Sequence, residues 1–191
     1  MFKGSNVALV TPFKDNKLDE ESYIKLINFH LENGTHGLVP AGTTGESPTL
    51  SHKEHEKVIE LCINEAKGKI PVIAGTGSNS TEEAINLTKH AEKAGADGAL
   101  VVTPYYNKPT QEGLYQHYKA INDNCGIPII VYNIPGRSVI DVSVDTMARM
   151  FELKNIAGVK DATGILERVD QHKNKMAVSY THLTLPTKRI V

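Results

Sequence analysis

Short apolar runs alternate with longer amphipathic stretches along most of the chain. The apolar runs lie at residues 7–12, 37–41, 70–77, 98–104, 127–132 and 156–161. Between them, apolar residues recur at helical spacing, as Tyr23, Ile27 and Leu31 do. This period predicts helices over about 19–33, 51–66, 80–95, 111–124, 144–151 and 166–175. The sequence therefore predicts six strands, each followed by a helix.

Residues that favour helix termini mark three of these boundaries. Asp19 can cap the first helix with its carboxylate. Ser51 and Glu54 have the spacing of a capping box, in which each side chain bonds the backbone amide of the other residue, and so do Ser80 and Glu83. On this interpretation Glu83 is a capping residue of the third helix.

The strict alternation of strands and helices indicates the fold class. Nearly every apolar run is hydrophobic on both faces, which is typical of a parallel sheet covered by helices. Both a closed (β/α)₈ barrel and an open doubly wound sheet fit this order. No GxGxxG motif follows the first strand, and we interpret Gly75 and Gly77 as turn glycines. The pattern favours the barrel, with about six of its eight units present.

Composition and charge exclude several kinds of partner. The 191 residues carry 21 basic and 22 acidic side chains, with no basic stripe, so neither nucleic acid nor a membrane surface is an expected partner. No apolar run reaches the length of a membrane span, and the first residues lack the apolar core of a signal peptide. Cys62 and Cys125 lie far apart and are predicted to be reduced thiols. We expect a cytoplasmic protein.

Lys160 stands out because it closes an apolar strand. Burial of an ammonium group is costly and lowers its pKa, so a buried lysine is a candidate nucleophile. Many lysines at strand ends instead extend to water or pair with an acid. Period-two alternation places Lys160 on one face with Gly158 and Ile156, and this face can line the barrel interior. Asp161 then points outward, and we interpret it as a cap for the next helix.

Other polar residues follow the predicted strands, whose carboxyl ends meet at one end of a parallel fold. They are Thr43, Thr44, Tyr105, Tyr106, Tyr132 and Arg137. A neutral amine among hydroxyl groups can attack a ketone to form an imine, with Tyr132, Thr43 and Tyr106 moving protons. Backbone amides of the 42–45 turn can hold one carboxylate of an α-keto acid, and Arg137 can bind a second carboxylate.

Four segments in order resemble the signatures of one enzyme family. They are Gly-Thr-Thr-Gly-Glu at 42–46, Thr-Pro-Tyr-Tyr at 103–106, Tyr-Asn-Ile-Pro-Gly-Arg at 132–137 and Gly-Val-Lys-Asp-Ala-Thr-Gly at 158–164. These segments resemble the substrate loop, tyrosine turn, YNxPxR stretch and Schiff-base lysine segment of the class I aldolases of the dihydrodipicolinate synthase and N-acetylneuraminate lyase group. The resemblance runs from residue 1 to about residue 176.

The resemblance implies a (β/α)₈ TIM barrel and a lyase that binds pyruvate as an imine on Lys160. Thr44 and Arg137 resemble the synthase branch, which condenses pyruvate with L-aspartate 4-semialdehyde in lysine and diaminopimelate biosynthesis without a cofactor. It implies a proton relay of Thr43, Tyr132 and Tyr106, with Tyr106 supplied by a neighbouring subunit. Arg137 then serves the aldehyde's carboxylate, and the protein is a homotetramer, a dimer of dimers. Alternatives are another pyruvate-dependent aldolase, such as N-acetylneuraminate lyase, or a non-catalytic fragment.

The resemblance also implies a regulatory site for free lysine at a subunit interface. Its residues are Ser47, Pro48, His52, His55, Asn79, Glu83 and Tyr105. The His-x-x-His spacing of His52 and His55 would suit zinc, but the sequence offers no evident third ligand, so no metal site is predicted.

The last residues depart from the family pattern. A seventh strand with a Ser-Gly-Asp-Asp turn is expected after the sixth helix, then an eighth strand and a C-terminal helical extension, and the sequence 177–191 shows none of these. We expect a partial barrel domain at 1–176 and a foreign or disordered tail at 177–191. Six strands leave two unpaired edges, so the chain alone is predicted to be poorly soluble or inactive.

Overall fold

The computed structural model describes residues 2–176 as a curved wall of parallel strands backed by helices. The strands are β1 (Asn6–Ala8), β2 (Phe13–Lys14), β3 (Lys17–Leu18), β4 (Gly37–Val39), β5 (Ile73–Gly75), β6 (Gly98–Val102), β7 (Ile129–Asn133) and β8 (Ile156–Asp161). Strands β2 and β3 form an antiparallel hairpin. The other strands are parallel and lie in the order β1-β4-β5-β6-β7-β8, in which a bridge between Leu38 and Val72 joins β4 to β5. The predicted partial (β/α)₈ barrel is confirmed.

The helices lie where the sequence predicts them. They are α1 (Glu20–Glu32), α2 (His52–Ala66), α3 (Thr81–Ala94), α4 (Gln111–Asn124), α5 (Pro135–Ser138), α6 (Val144–Phe151) and α7 (Glu167–Met176). The short helix α5 and the β2–β3 hairpin are additions, because both are too short to show a period in the sequence. The hairpin turns at Asp15 and Asn16, both in the left-handed region.

Of the caps predicted for α1, α2 and α3, two are correct and one is half wrong. The Asp19 carboxylate accepts a 3.0 Å bond from the Ser22 amide, and Ser51 with Glu54 forms a full capping box. Ser80 does cap α3, but the Glu83 carboxylate turns away from the helix terminus to bond the Ser78 hydroxyl and the ring of His52. Glu83 therefore is not the second member of a capping box.

The strands separate an inner apolar cluster from two outer ones. The inner cluster consists of Phe2, Val39, Ile73, Leu100, Ile130 and Tyr132, which come from four neighbouring strands and the N-terminal segment. Both outer clusters lie between strands and helices. Phe2 packs so tightly that a Cβ atom on Gly98 would lie 2.7 Å from its ring. Burial of one such side chain stabilises the fold by about 1.5–3 kcal/mol.

Strand β8 contains a bulge that the alternation argument misses. Ile129 pairs with Ile156, but Ile130 pairs with Gly158, so Ala157 is an extra residue. Ile156 therefore packs in the helix-side cluster rather than on the face of Gly158. The prediction that Ile156 shares a face with Lys160 is therefore wrong. Gly158 does lie on the inner face, because an ideal Cβ atom on it would be 4.0 Å from the inner residue Ile130.

Gly75 and Gly77 serve close backbone approach rather than a turn. Neither residue has a positive φ. A Cβ atom on Gly75 would lie 2.2 Å from the carbonyl oxygen of Ala41, and one on Gly77 would lie 2.3 Å from the amide nitrogen of Val102. Only glycine allows these strand ends to converge around a common space.

The wall is open within residues 2–176. Strands β1 and β8 each pair on one side only in this part of the chain. The predicted tail at 177–191 and the expected seventh strand lie outside the described residues. Between residues 2 and 176, no helix combines the length and the apolar character that a membrane span requires.

Candidate active site

Lys160 and Tyr132 meet at the carboxyl ends of adjacent strands. They are paired in register on β8 and β7, and the Lys160 Nζ lies 4.2 Å from the centre of the Tyr132 ring. An ammonium group over an aromatic face is held by the ring's quadrupole. The tyrosine ring therefore holds the Lys160 amine at the carboxyl ends of β7 and β8.

Burial lowers the pKa of Lys160, and no charged neighbour within residues 2–176 contributes to that shift. The neighbouring acid does not offset it, because Asp161 points elsewhere. Its carboxylate accepts a 2.9 Å bond from the Thr163 amide and lies 3.3 Å from the Arg168 Nε. Helix α7 begins only at Glu167, so the predicted helix-capping role of Asp161 is wrong. The amine loses its proton more easily than an exposed lysine does.

Tyr132 has Thr43 and Arg137 as its polar neighbours. Burial raises the pKa of Tyr132, while a hydrogen bond to the Thr43 hydroxyl and the charge of Arg137 partly oppose that rise. The structure thus brings four predicted site residues together: Lys160, Tyr132, Thr43 and Arg137. Arg137 lies on α5 with an exposed side chain.

A small cavity opens beside Tyr132. It is lined by Ala41, Gly42, Thr43, Ser47, Pro48, Gly75, Gly77, Leu100, Val102, Tyr105 and Tyr132. The turn at its mouth is held by a buried bond of 2.7 Å from the Thr11 hydroxyl to the Gly45 carbonyl. Thr44 is exposed on the same turn. Backbone amides of this turn can bind an anion at the cavity mouth.

Tyr106 is not joined to the other site residues in this chain. Its side chain is 89% exposed, and its φ of 73° lies in the left-handed region, which is uncommon for a bulky residue. The adjacent Tyr105 does line the cavity, and its carbonyl accepts a 3.2 Å bond from the Asn79 amide group.

The predicted regulatory residues form a second group beside the cavity. The His52 Nε2 lies 2.8 Å from a Glu83 carboxylate oxygen. The pKa of Glu83 is lowered, mainly by its hydrogen bond to the Ser78 hydroxyl and to a smaller extent by His52. His55 is 3% exposed, and burial lowers its pKa to about 4. Ser47 and Pro48 line the cavity itself. Residues 2–176 contain no group of three or more His, Cys, Asp or Glu side chains able to hold a metal ion.

A buried arginine below the site was not predicted from the sequence. Arg168 is 6% exposed and binds the Asp141 carboxylate through two bonds of 2.8 and 2.7 Å. Asn133, which is fully buried at the end of β7, bonds the same carboxylate. In the sequence, Asn133 and Asp141 stand on either side of the 134–138 segment. This pair of polar residues was the available signal that the segment is held at its base.

The chain matches one protein family over nearly its whole length. The sequence model of the Dihydrodipicolinate synthetase family matches residues 1–184. A 4-hydroxy-tetrahydrodipicolinate synthase of Pelagibacter ubique is 78% identical over 184 residues, which are 96% of this chain and 63% of that protein. The enzyme of that name from Bradyrhizobium diazoefficiens is 67% identical over 183 residues, 96% of this chain and 62% of that protein. This chain spans somewhat less than two thirds of these relatives.

Solved structures of similar proteins superpose closely. Dihydrodipicolinate synthase from Aquifex aeolicus gives a TM-score of 0.93 at 52% identity, covering 95% of this chain and 62% of that one. The Acinetobacter baumannii enzyme, solved in complex with pyruvate, gives 0.92 at 52% identity, covering 95% and 63%. The Cyanidioschyzon merolae enzyme, solved with lysine bound, gives 0.88 at 41% identity, covering 91% and 60%.

Proposed function

Because this chain belongs to the Dihydrodipicolinate synthetase family, we propose that its site forms an imine between Lys160 and pyruvate and condenses it with L-aspartate 4-semialdehyde. The product is 4-hydroxy-tetrahydrodipicolinate, and the protein serves lysine and diaminopimelate biosynthesis. The observation that carries this proposal is the half-buried Lys160 side chain, whose amine lies against the Tyr132 ring and has a lowered pKa. The pyruvate complex of the similar Acinetobacter baumannii enzyme supports it.

The bond changes follow from amine chemistry. The neutral Lys160 amine adds to the ketone carbon of pyruvate, and loss of water from the carbinolamine leaves an iminium ion. The iminium acidifies the adjacent methyl group, which loses a proton to give an enamine. The enamine carbon then attacks the aldehyde carbon. The amino group of the second substrate finally adds to the imine carbon and displaces the Lys160 amine, which regenerates the site.

Tyr132 and Thr43 are the proposed route for protons. The Thr43 side chain lies near enough to Tyr132 to lower its pKa, and the Lys160 amine lies against the Tyr132 ring, so these hydroxyl groups can supply and remove protons at the carbinolamine. Tyr106 is the proposed third member, contributed by a second copy of the chain. Its exposed ring supports this assignment, because the ring is free to reach into a neighbouring site.

Two anion sites are proposed for the substrate carboxylates. The 42–45 turn, with its backbone amides and the Thr44 hydroxyl, would bind the pyruvate carboxylate. Arg137 would bind the carboxylate of the aldehyde in a bidentate manner. The closeness of Arg137 to Tyr132 supports this placement, because the second substrate must approach the imine.

Product analysis separates this reaction from the nearest alternative. The protein is supplied with pyruvate and either L-aspartate 4-semialdehyde or N-acetylmannosamine, and the products are identified by mass spectrometry. Turnover of the semialdehyde alone supports the proposal. Turnover of N-acetylmannosamine alone would instead indicate a lyase of the N-acetylneuraminate type.

We further propose that free lysine inhibits this protein at the group formed by His52, Glu83 and Tyr105. The lysine-bound structure of the similar Cyanidioschyzon merolae enzyme supports this proposal, as does the anionic Glu83 beside the cavity. Titration with lysine tests it, with Glu83→Gln as the variant and the exposed neighbour Glu82→Gln as the control. An unchanged rate at millimolar lysine would contradict it.

The cellular setting is also a proposal. Cys62 and Cys125 are free and buried, which supports a reducing compartment, and we place the protein in the cytoplasm. We propose a homotetramer built as a dimer of dimers, in which Tyr106 crosses between subunits. Sedimentation of the protein with and without Tyr106→Ala tests the assembly, which the substitution is expected to weaken.

A non-catalytic role is the second candidate for this chain. Its support is the open wall, since β1 and β8 each lack a neighbour on one side within residues 2–176. An open wall admits water to Lys160 and reduces the burial that lowers its pKa. Failure of this chain to react with pyruvate, while it still associates with full-length relatives, would favour that role.

A further inference from the structure

Arg168 places a buried charge at the junction of three segments, which are α7, residues 141–142 and β8. It extends from α7 and reaches the carboxylate of Asp141 with two bonds, of 2.8 and 2.7 Å. A third bond runs from its second terminal nitrogen to the Val142 carbonyl oxygen. Its Nε also lies 3.3 Å from the carboxylate of Asp161 on β8. Three of the four contacts therefore go to residues 141 and 142.

Those two residues form the base of the loop that carries Arg137. The loop leaves β7 at Asn133 and returns at Val142. Asn133 closes it, because its side-chain amide donates a 2.8 Å bond to Asp141 and its side-chain oxygen accepts a 3.2 Å bond from the Val142 amide. Above this base, the Ser138 hydroxyl lies 3.0 Å from the carbonyl oxygens of both Ile134 and Ile140.

The energetics indicate a role beyond stability. Burial of a guanidinium group costs several kcal/mol, and ion-pair attraction often only offsets that cost. An apolar residue of similar size would hold α7 against the sheet with no such cost. A guanidinium group supplies what an apolar residue cannot. One terminal nitrogen of Arg168 bonds both carboxylate oxygens of Asp141 while the other bonds the Val142 carbonyl oxygen, and two donors held in one plane fix the direction of the loop base.

We propose that Arg168 is a positioning residue, which fixes the base of the 133–142 loop and so keeps Arg137 near Tyr132. The inference rests on the proposed function, in which Arg137 binds the carboxylate of the aldehyde substrate. Arg168 itself touches no substrate. Its effect reaches the reaction only through the place that it gives to Arg137.

Hydrogen exchange of the 191-residue chain measures the positioning directly. Arg168→Met removes all three bonds to the loop, and Arg168→Lys keeps the charge but loses the fork of donors. Both variants are expected to speed exchange in peptides covering 134–143, with a smaller change for lysine. The control is Arg149→Met, since Arg149 pairs with Glu112 at 2.9 Å on the outer surface.

Kinetics then separate positioning from a merely structural role. Arg168→Met is expected to raise KM for the aldehyde about tenfold while KM for pyruvate stays within about twofold, because misplacement of one binding group weakens only the ligand it holds. Unchanged exchange, or exchange that rises equally along the whole chain, would overturn the proposal. So would faster exchange in the loop with both KM values unchanged.

A different result is expected if the proposed function is wrong. In that case the unsubstituted chain forms no reducible adduct with pyruvate at all. The exchange comparison still decides whether Arg168 holds the loop, because it requires no substrate.

Discussion

At the scale of single residues, burial decides which protonation states the site groups favour. Lys160 has a lowered pKa because its side chain is partly buried, and no carboxylate within residues 2–176 forms an ion pair with it. Tyr132 has a raised pKa for the same reason. Burial therefore keeps the phenol protonated and favours the neutral amine, which are the forms that imine chemistry requires.

The lowered pKa of Lys160 predicts the pH dependence of its reaction. Only the neutral amine is nucleophilic, so reductive trapping with pyruvate is expected to accelerate with pH and to level off below the ordinary lysine value of 10.5. Quantitative mass spectrometry of the Lys160 peptide measures this rate, with the exposed Lys53 as the internal standard. A rate that still rises at and above that value would contradict the lowered pKa.

Buried histidines predict a loss of stability in acid. His117 is 5% exposed, and burial lowers its pKa from 6.5 to about 4. Between these values the unfolded chain binds more protons than the folded one, so stability falls as pH falls from 6.5 to 4. The loss is on the order of 3 kcal/mol for one such group.

Urea unfolding at a series of pH values measures this effect. His117→Gln is expected to reduce the loss of unfolding free energy in acid, because glutamine keeps a polar group for Thr81 and does not titrate. The control is His36→Gln, at an exposed histidine. Equal slopes for the unsubstituted chain and His117→Gln would contradict the assignment.

At the scale of elements, the strand ends converge only because glycine has no Cβ atom to collide with the neighbouring backbone. Gly75→Ala places a Cβ atom 2.2 Å from the Ala41 carbonyl oxygen, so β4 and β5 must separate. We expect a loss of about 1–3 kcal/mol or more in the free energy of unfolding. Gly136→Ala is the matched control, because no atom lies within 4 Å of its Cβ position. Equal unfolding midpoints for the two variants would contradict the close-approach argument.

The regular elements could be predicted from local sequence. Helices α4 and α6 begin and end at the predicted residues, because their boundaries depend on caps and period, which are local. The bulge at Ala157 could not be predicted, since it depends on how β8 pairs with β7. Glu83 was misassigned for a similar reason. Its partners Ser78 and His52 come from outside the helix that it would have capped.

The candidate site was predictable only where it lies at strand ends. Parallel topology brings Lys160, Tyr132 and Thr43 together, so their order in the chain was enough to group them. Arg168 lies on a helix, where a charged residue is usually solvated, and nothing in its local sequence indicates burial. Its role becomes visible only with the contacts to Asp141.

At the scale of the whole molecule, the open wall sets the behaviour of the isolated chain. Among residues 2–176, β8 has no strand neighbour on its outer side, and backbone groups at such an edge recruit other strands. We expect the 191-residue chain to self-associate with rising concentration in sedimentation experiments. Ala157→Lys, on the exposed bulge of that edge, is expected to reduce association, whereas Asn86→Lys on the surface of α3 is the charge-matched control. A monomer at all concentrations would contradict this expectation.

The imine proposed between Lys160 and pyruvate can be trapped chemically. Incubation of the chain with pyruvate and borohydride, followed by peptide mass spectrometry, tests it most directly. We expect a stable adduct on the Lys160 peptide that requires both reagents, is lost in Lys160→Ala and persists in the exposed control Lys154→Ala. Absence of the adduct from the unsubstituted chain, or an adduct that survives Lys160→Ala unchanged, would contradict it.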